Sequence, residues 1–419
     1  MSNQLAIEGG SRTVALDLPN FHTASGRTFG PEEEALVIEA LRSGCLSRNG
    51  GTMVKGLERD FAKAIGVPYA VACSSGTSCV HLAIAALDLE PGDEVIVPPI
   101  TDIGSILPII WQNAIPVFAD VDPITLVLDP VAVEKQITPR TRAVMAVHLA
   151  GMPCPMDELT AICRRHNIVL IEDCSQAYWA EYKGKLVGSM GDMACFSLQQ
   201  SKHMSCGEGG LMVTSNEAYA QRASLFADKA WPRDTGSLGA CRFLFLSQNY
   251  RMNELSGAVA LAQLKKVQAT VARRRARATE LTELIGDIKA VSAPLTPPNV
   301  DPAYWLYMLR VNESAGVSTQ EFGDALVAEG VPAWVRYTVD PLYLSPIFTG
   351  PHTYGQSGYP FSAYGHQSFT RGLCPQAEAA LSRVIAIHWN ENYTTDHVEQ
   401  IGLAIRKVAH HFASVGASR

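Results

Sequence analysis

The sequence predicts a layered α/β fold: a large domain with a mostly parallel seven-stranded sheet between helices, then a smaller C-terminal α+β domain. Three observations carry this. Seven apolar runs of strand length lie between about residues 55 and 215 and alternate with helix-like stretches. The runs are almost continuously hydrophobic, the pattern of strands buried on both faces. Polar residues cluster just after the runs, at the strand ends where parallel sheets take their ligands.

In order, the strands are expected at 69–73, 94–97, 116–119, 143–147, 169–172, 194–197 and 211–213, with helical patterns at 80–87 and 156–165 between them. One long helix is expected over 254–284, leading out of the large domain, with the basic run Arg273-Arg274-Arg275-Ala276-Arg277 on its wet side. A proline-containing linker covers 292–302, a strand 305–311 and a helix 319–329, with Ser318 as N-cap. Residues 350–368 read as a polar loop. The division is an N-terminal arm (1–30), a large domain (31–274) and a small domain (275–419).

The chain has 419 residues, 47% of them hydrophobic, enough for a large core. A formal charge of −7 gives no basic excess for nucleic acid. No apolar run approaches the ~18 residues that span a bilayer, and residues 1–12 lack the apolar core of a signal peptide. The ten cysteines include no C-x-x-C pair and the eleven histidines no H-E-x-x-H, so spacing supports no metal site. A cytoplasmic protein with free thiols is expected.

Lys202 lies in Ser197-Leu198-Gln199-Gln200-Ser201-Lys202, where a strand ends before a glycine-rich turn. A lysine held there loses water and becomes an amine that forms Schiff bases with aldehydes, pyridoxal phosphate (PLP) among them. The alternative is a solvated loop lysine. Ser74-Ser75-Gly76-Thr77-Ser78 follows a strand and opens a helix, a setting for a phosphate, or an ordinary turn with a serine cap. Asp173 ends a buried strand, where a carboxylate keeps a pyridine nitrogen protonated or caps the next turn. Glu172 is expected to face the other way. Gln248-Asn249-Tyr250-Arg251 precedes the long helix, with Asn253 as a capping candidate.

Together these segments resemble the DegT/DnrJ/EryC1/StrS aminotransferases, PLP enzymes of fold type I that act on keto-sugars and keto-cyclitols. Carrying the resemblance are Ser75-Gly76-Thr77, Pro91-Gly92-Asp93-Glu94-Val95, Asp120-Val121-Asp122-Pro123, Val147-His148-Leu149-Ala150-Gly151, Glu172-Asp173-Cys174-Ser175-Gln176-Ala177, Ser201-Lys202 with Gly207-Glu208-Gly209-Gly210, and Asn249-Tyr250-Arg251-Met252. They keep the family order over about residues 30 to 270.

The resemblance implies that Lys202 forms the Schiff base with PLP and moves the proton, and that Asp173 pairs with the pyridine nitrogen. It places Gln176 near the ring's phenolic oxygen. Gly76, Thr77 and Ser197, beside Ser75, are implied to hold the phosphate. Asn249 is implied to reach the partner's phosphate across a homodimer with two shared sites. The donor is implied to be glutamate or glutamine.

Departures are expected to matter locally. Asp102 belongs to the cofactor-binding set but stands where the family usually has a ring-stacking aromatic. Trp231 and Arg233 are expected at the substrate opening, and the loops 228–245 and 350–368 are expected to set specificity. Trp389-Asn390-Glu391-Asn392 replaces an apolar-Pro ending. These differences point to a substrate unlike the best-known nucleotide-linked sugars. Two other readings remain: a sugar dehydratase, whose relatives replace the lysine with histidine (His203 is adjacent here), and a non-catalytic sensory or binding protein on the same fold.

Overall fold

A computed structural model describes residues 4–233 and 242–416. Strands β1 (Tyr69–Cys73), β2 (Glu94–Val97), β3 (Ile115–Phe118), β4 (Thr141–Val147) and β5 (Val169–Asp173) come first. A short hairpin follows, β6 (Glu181–Tyr182) and β7 (Lys185–Leu186), and then β8 (Met193–Ser197) and β9 (Gly210–Thr214). Omitting the hairpin, these strands form one seven-stranded sheet in the order β1-β9-β8-β5-β4-β2-β3. Only β9 runs against its neighbours. The buried aliphatic residues that made the strands legible line both faces of this sheet.

The C-terminal part adds β10 (Val291–Ser292), β11 (Val300–Asp301), β12 (Leu306–Val311), β13 (Ala333–Val335) and β14 (Val384–His388). Strands β10-β12-β14-β13 form an antiparallel sheet with its own core, in which Tyr307, Leu309, Phe322, Ile385 and Ile405 are buried. Strand β11 pairs instead with the β6–β7 hairpin. Ser318 caps the helix Thr319–Ala328 through a reciprocal bond pattern with Glu321. The loop 350–368 contains one short helix, Phe361–Tyr364.

Two expectations change. The long helix is two, Glu254–Leu264 and Val267–Ile285. At the break, Lys266 turns toward the N-terminal segment and binds Glu33 at 2.8 Å, Glu32 at 3.0 Å and the Thr28 carbonyl at 2.9 Å. The arginine run on the second helix is wet only in part, at Arg273 and Ala276. Arg274 is 1% exposed, and its Nε and Nη2 donate to Glu391 Oε2 at 2.9 and 2.7 Å. Arg275 donates to the carbonyls of Trp179, Asp301 and Pro302. The reason is the helix's position. Val267 and Val271 belong to the core of the large sheet, and Ala278, Leu281 and Ile285 to the C-terminal core. Protein covers the face that carries Arg274, so this arginine finds its partner inside, while Arg273 stays exposed.

Glu391 is the only carboxylate paired with Arg274 among the described residues, and Arg27 stands 3.9 Å from its other oxygen. Glu391→Leu leaves buried guanidinium groups without compensation. The expected loss is about 3–5 kcal/mol, measured as the drop in unfolding free energy from urea melts. A loss below about 1 kcal/mol, the range of a surface pair, contradicts the assignment.

Candidate active site

The carboxyl edges of β5 and β8 and the start of the helix after β1 meet at a cavity of about 460 Å³. Ser75, Gly76, Thr77, Asp102, Asp173, Gln176, Ser197 and Lys202 all line it. These distant sequence positions converge because parallel neighbours end on the same side of a sheet.

Ser75 caps the helix Gly76–Ala86, its Oγ accepting from the Ser78 N–H at 3.0 Å. That bond uses one first-turn donor. The N–H groups of Gly76 and Thr77, and the Thr77 hydroxyl, have no protein acceptor among the described residues. Gly76 is required by proximity: a Cβ there would lie 2.6 Å from Ser197 Cβ and 2.8 Å from Ser197 Oγ. The helix start and the end of β8 thus bring four hydroxyl and amide donors together, a setting for a phosphate.

Asp173 closes β5. Its Oδ2 accepts from Ser105 Oγ at 2.7 Å, Ser105 Oγ lies 2.8 Å from Thr101 Oγ1, and its Oδ1 accepts from the Ser175 N–H at 3.0 Å. Glu172 faces the opposite side, as strand alternation requires. It accepts from the N–H groups of Gly188, Met190 and Gly191 and lies 3.0 Å from His148 Nε2.

Lys202 is buried, with Nζ 3.8 Å from the centre of the Trp305 ring. Burial lowers its pKa from 10.5 to about 8, against the upward pull of the Asp102 and Asp173 charges. Three successive carbonyls of its turn are held from outside. Arg27 donates to the Gln200 and Lys202 carbonyls, the latter at 2.9 Å, and Trp305 Nε1 donates to the Ser201 carbonyl at 3.1 Å. The adjacent His203 points away, with Nε2 3.0 Å from the Ala303 carbonyl, and does not line the cavity. It is not placed as the reacting group of the dehydratase alternative.

Asp102 lines the cavity while its Oδ1 accepts from the Gly104 N–H at 2.8 Å. Asn249 is exposed and outside this chain's own cavity. Trp231 and Arg233 do not line this chain's own cavity. Their side chains stack on each other at 4.0 Å, and Arg233 pairs with Asp228. Positions 234–241 of the expected specificity loop lie outside the described residues. The cavity is also lined by residues that carried no sequence signal for a site, among them Phe21 and His22 of the arm, Ser105, and Trp305, Trp334 and His388 of the C-terminal part. Trp389, noted only as an unusual ending, lines it too.

A buried amine of lowered pKa, a fixed carboxylate across the cavity and uncommitted donors at a helix start match the three polar ends of pyridoxal phosphate. The fold and the site define a fold type I transferase that uses this cofactor. The model of the DegT/DnrJ/EryC1/StrS aminotransferase family matches residues 28–406, and the chain belongs to that family. GDP-perosamine synthase of Caulobacter vibrioides is 35% identical over 336 residues, 79% of this chain and 87% of the relative. L-glutamine:2-deoxy-scyllo-inosose aminotransferase of Streptomyces lividus is 34% identical over 441 aligned positions, covering 100% of both chains. The solved structure of DesI in the presence of its TDP-sugar product matches with a TM-score of 0.82 at 27% identity, over 99% of this chain and 98% of that one. The chain is a PLP-dependent aminotransferase. No helix among the described residues is long and apolar enough to cross a membrane.

The lowered lysine pKa has a kinetic consequence. Attachment of PLP to the apoprotein needs the neutral amine, which dominates above the pKa. The rate of attachment, followed by the visible absorbance band, is expected to rise with pH and level off above about 8. A profile that keeps climbing toward 10.5, the ordinary lysine value, contradicts the burial argument.

Proposed function

We propose that Lys202 holds PLP covalently and that the enzyme transfers an amino group from glutamate or glutamine to a keto-sugar or keto-cyclitol in a biosynthetic pathway. The observation that carries this is the buried Lys202 amine in one cavity with Asp173 and the uncommitted donors of Gly76 and Thr77. Support for glutamine and a cyclitol ketone comes from the similar L-glutamine:2-deoxy-scyllo-inosose aminotransferase of Streptomyces lividus, matched over its full length.

When bound, PLP supplies an electron sink that stabilises negative charge on the carbon losing its proton. The chain supplies the rest. Gly76, Thr77 and Ser197 bind the phosphate, with Ser75 holding the helix start in shape. Asp173 pairs with the pyridine nitrogen, its carboxylate oriented by Ser105 and Ser175. Gln176 faces the ring's phenolic oxygen. Asp102 borders the cofactor and fixes the turn that carries Ser105. Lys202, as a free amine, would take the proton from the donor carbon and deliver it to the aldehyde-derived carbon of the cofactor, a task suited to an amine whose pKa lies near 8. Its burial against Trp305 keeps water from the proton in transit.

The reading includes a homodimer. Asn249 is exposed, and Phe243, Leu244 and Leu246 beside it leave large apolar surfaces in water, Leu246 being 92% exposed. Asn249 then serves the partner's phosphate. The division at 274/275 also stays within the reading, Val271 and Ala278 on either side belonging to different cores.

Lys202→Ala is expected to lower turnover by roughly 10²–10⁴-fold, the range of a positioned proton-transfer group, and to abolish borohydride trapping of PLP. Full turnover in this variant, or kinetics that are not ping-pong, sinks the proposal. The shared site has its own test. Lys202→Ala and Asn249→Ala chains, each expected to be strongly impaired alone, are expected to regain activity when co-expressed, because a mixed dimer holds one complete site. Mixed dimers without activity contradict the exchange of Asn249.

A further inference from the structure

Gln176 is fixed from two sides. Its Oε1 accepts from the Ala150 N–H at 2.7 Å, and its Nε2 donates to the Tyr337 hydroxyl at 2.8 Å. A backbone N–H only donates, so the amide has one orientation. One of its two N–H groups is spent on Tyr337, and the other has no partner among the described residues. Gln176 lines the cavity.

Neither support is adaptable. Ala150 sits in the left-handed region at φ 53°, and its carbonyl accepts from the Trp305 N–H at 2.9 Å. A Cβ on the following Gly151 would lie 2.6 Å from the Tyr304 nitrogen. Tyr337 follows Arg336, whose φ of 67° ends the course of β13 and turns the chain toward the large sheet. The Tyr337 ring packs against the large core. Burial, with the Asp102 and Asp173 charges nearby, raises its pKa and keeps the phenol protonated.

We infer that Tyr337 is a positioning residue: it acts through Gln176, holding the amide so that the second N–H faces the cavity and donates to the phenolic oxygen of bound PLP. This rests on the proposed attachment of PLP at Lys202. A donor on that oxygen stabilises its ionised form. Without the donor, the conjugated chromophore keeps its proton to higher pH.

The test is a pH titration of the visible absorbance of the holoenzyme. Tyr337→Phe is expected to bind PLP at full stoichiometry and to shift the midpoint upward by roughly one unit, a tenfold change in the proton equilibrium. Gln176→Leu is expected to shift it in the same direction. In the Gln176→Leu background, Tyr337→Phe is expected to add nothing, because the tyrosine acts through the amide. An unmoved midpoint in Tyr337→Phe, or additive shifts in the double variant, overturns the inference. Should Tyr337→Phe fail to fold, Gln176→Leu alone decides, since an unmoved midpoint there removes the donor on which the inference depends. Borohydride trapping separates this from the underlying reading. A label away from Lys202 sinks the attachment, whereas a label on Lys202 with an unmoved midpoint sinks only the role of Tyr337.

Discussion

The structure depends on keeping one amine out of water without giving it a close counter-charge. An ammonium group moved from water into protein loses several kcal/mol of hydration unless it is paired. Among the described residues no carboxylate lies within ion-pair distance of Lys202, and the nearest cation-binding group is the face of Trp305. Asp102 and Asp173 act from further off and recover part of the loss. What remains appears as a shift toward the neutral amine. A lysine in that condition is a nucleophile near neutral pH, and the surroundings hold its backbone so that the side chain cannot escape to solvent. The bonds from Arg27 and Trp305 to the carbonyls of Gln200, Ser201 and Lys202 do this.

Those bonds come from outside the large sheet. Arg27 belongs to the N-terminal arm and Trp305 immediately precedes β12. The arm also reaches the lysine turn through the Phe21 carbonyl, which accepts from Gln200 Nε2 at 2.8 Å. Behind the turn, Arg27, Arg274 and Glu391 are buried together, and Trp389 Nε1 donates to the Arg274 carbonyl at 3.0 Å. Two guanidinium groups against one carboxylate leave positive charge beside the lysine turn, and His203 feels it: burial first, then the charges of Arg274, Lys202 and Arg27, hold its imidazole neutral. The large sheet supplies the chemistry of the site, while the arm and the C-terminal part supply its rigidity.

This division explains what the sequence made legible. Strands β1 to β5 were readable to within a residue or two at their ends because strands buried on both faces are written as uninterrupted Val, Ile, Ala and Leu. Asp173 and Lys202 stood out because Asp173 ends such a run and Lys202 lies in the short polar turn that follows another. Trp305 and Tyr337 did not, because their importance lies in contacts with residues far away in sequence, 104 positions for Trp305 with Ser201 and 161 for Tyr337 with Gln176. The arginine run misled for the same reason. Charge on a helix predicts solvent only when nothing packs over that face, and here Glu391, 117 residues downstream of Arg274, does so. The break at Lys265 and Lys266 carried no glycine or proline to announce it. It follows from the ion pairs of Lys266 with Glu32 and Glu33, far back in the chain.

Asp102 has a structural effect that reaches two other residues of the site. Its carboxylate caps the single turn Ile103–Ser105 by accepting from the Gly104 N–H. That turn is pressed against the helix start at the phosphate end of the cavity: a Cβ on Gly104 would stand 2.6 Å from Thr77 Oγ1 and 2.9 Å from Asp102 Oδ1. The next residue is Ser105, whose hydroxyl donates to Asp173. An aromatic side chain at 102 cannot accept from an N–H in this way. The carboxylate therefore gives up a stacking surface and fixes, through two consecutive residues, both the neighbourhood of Thr77 and the orientation of Asp173. Trp305, Trp334 and Trp389, contributed from the C-terminal part, line the same cavity, so its aromatic surface comes from segments beyond the large sheet.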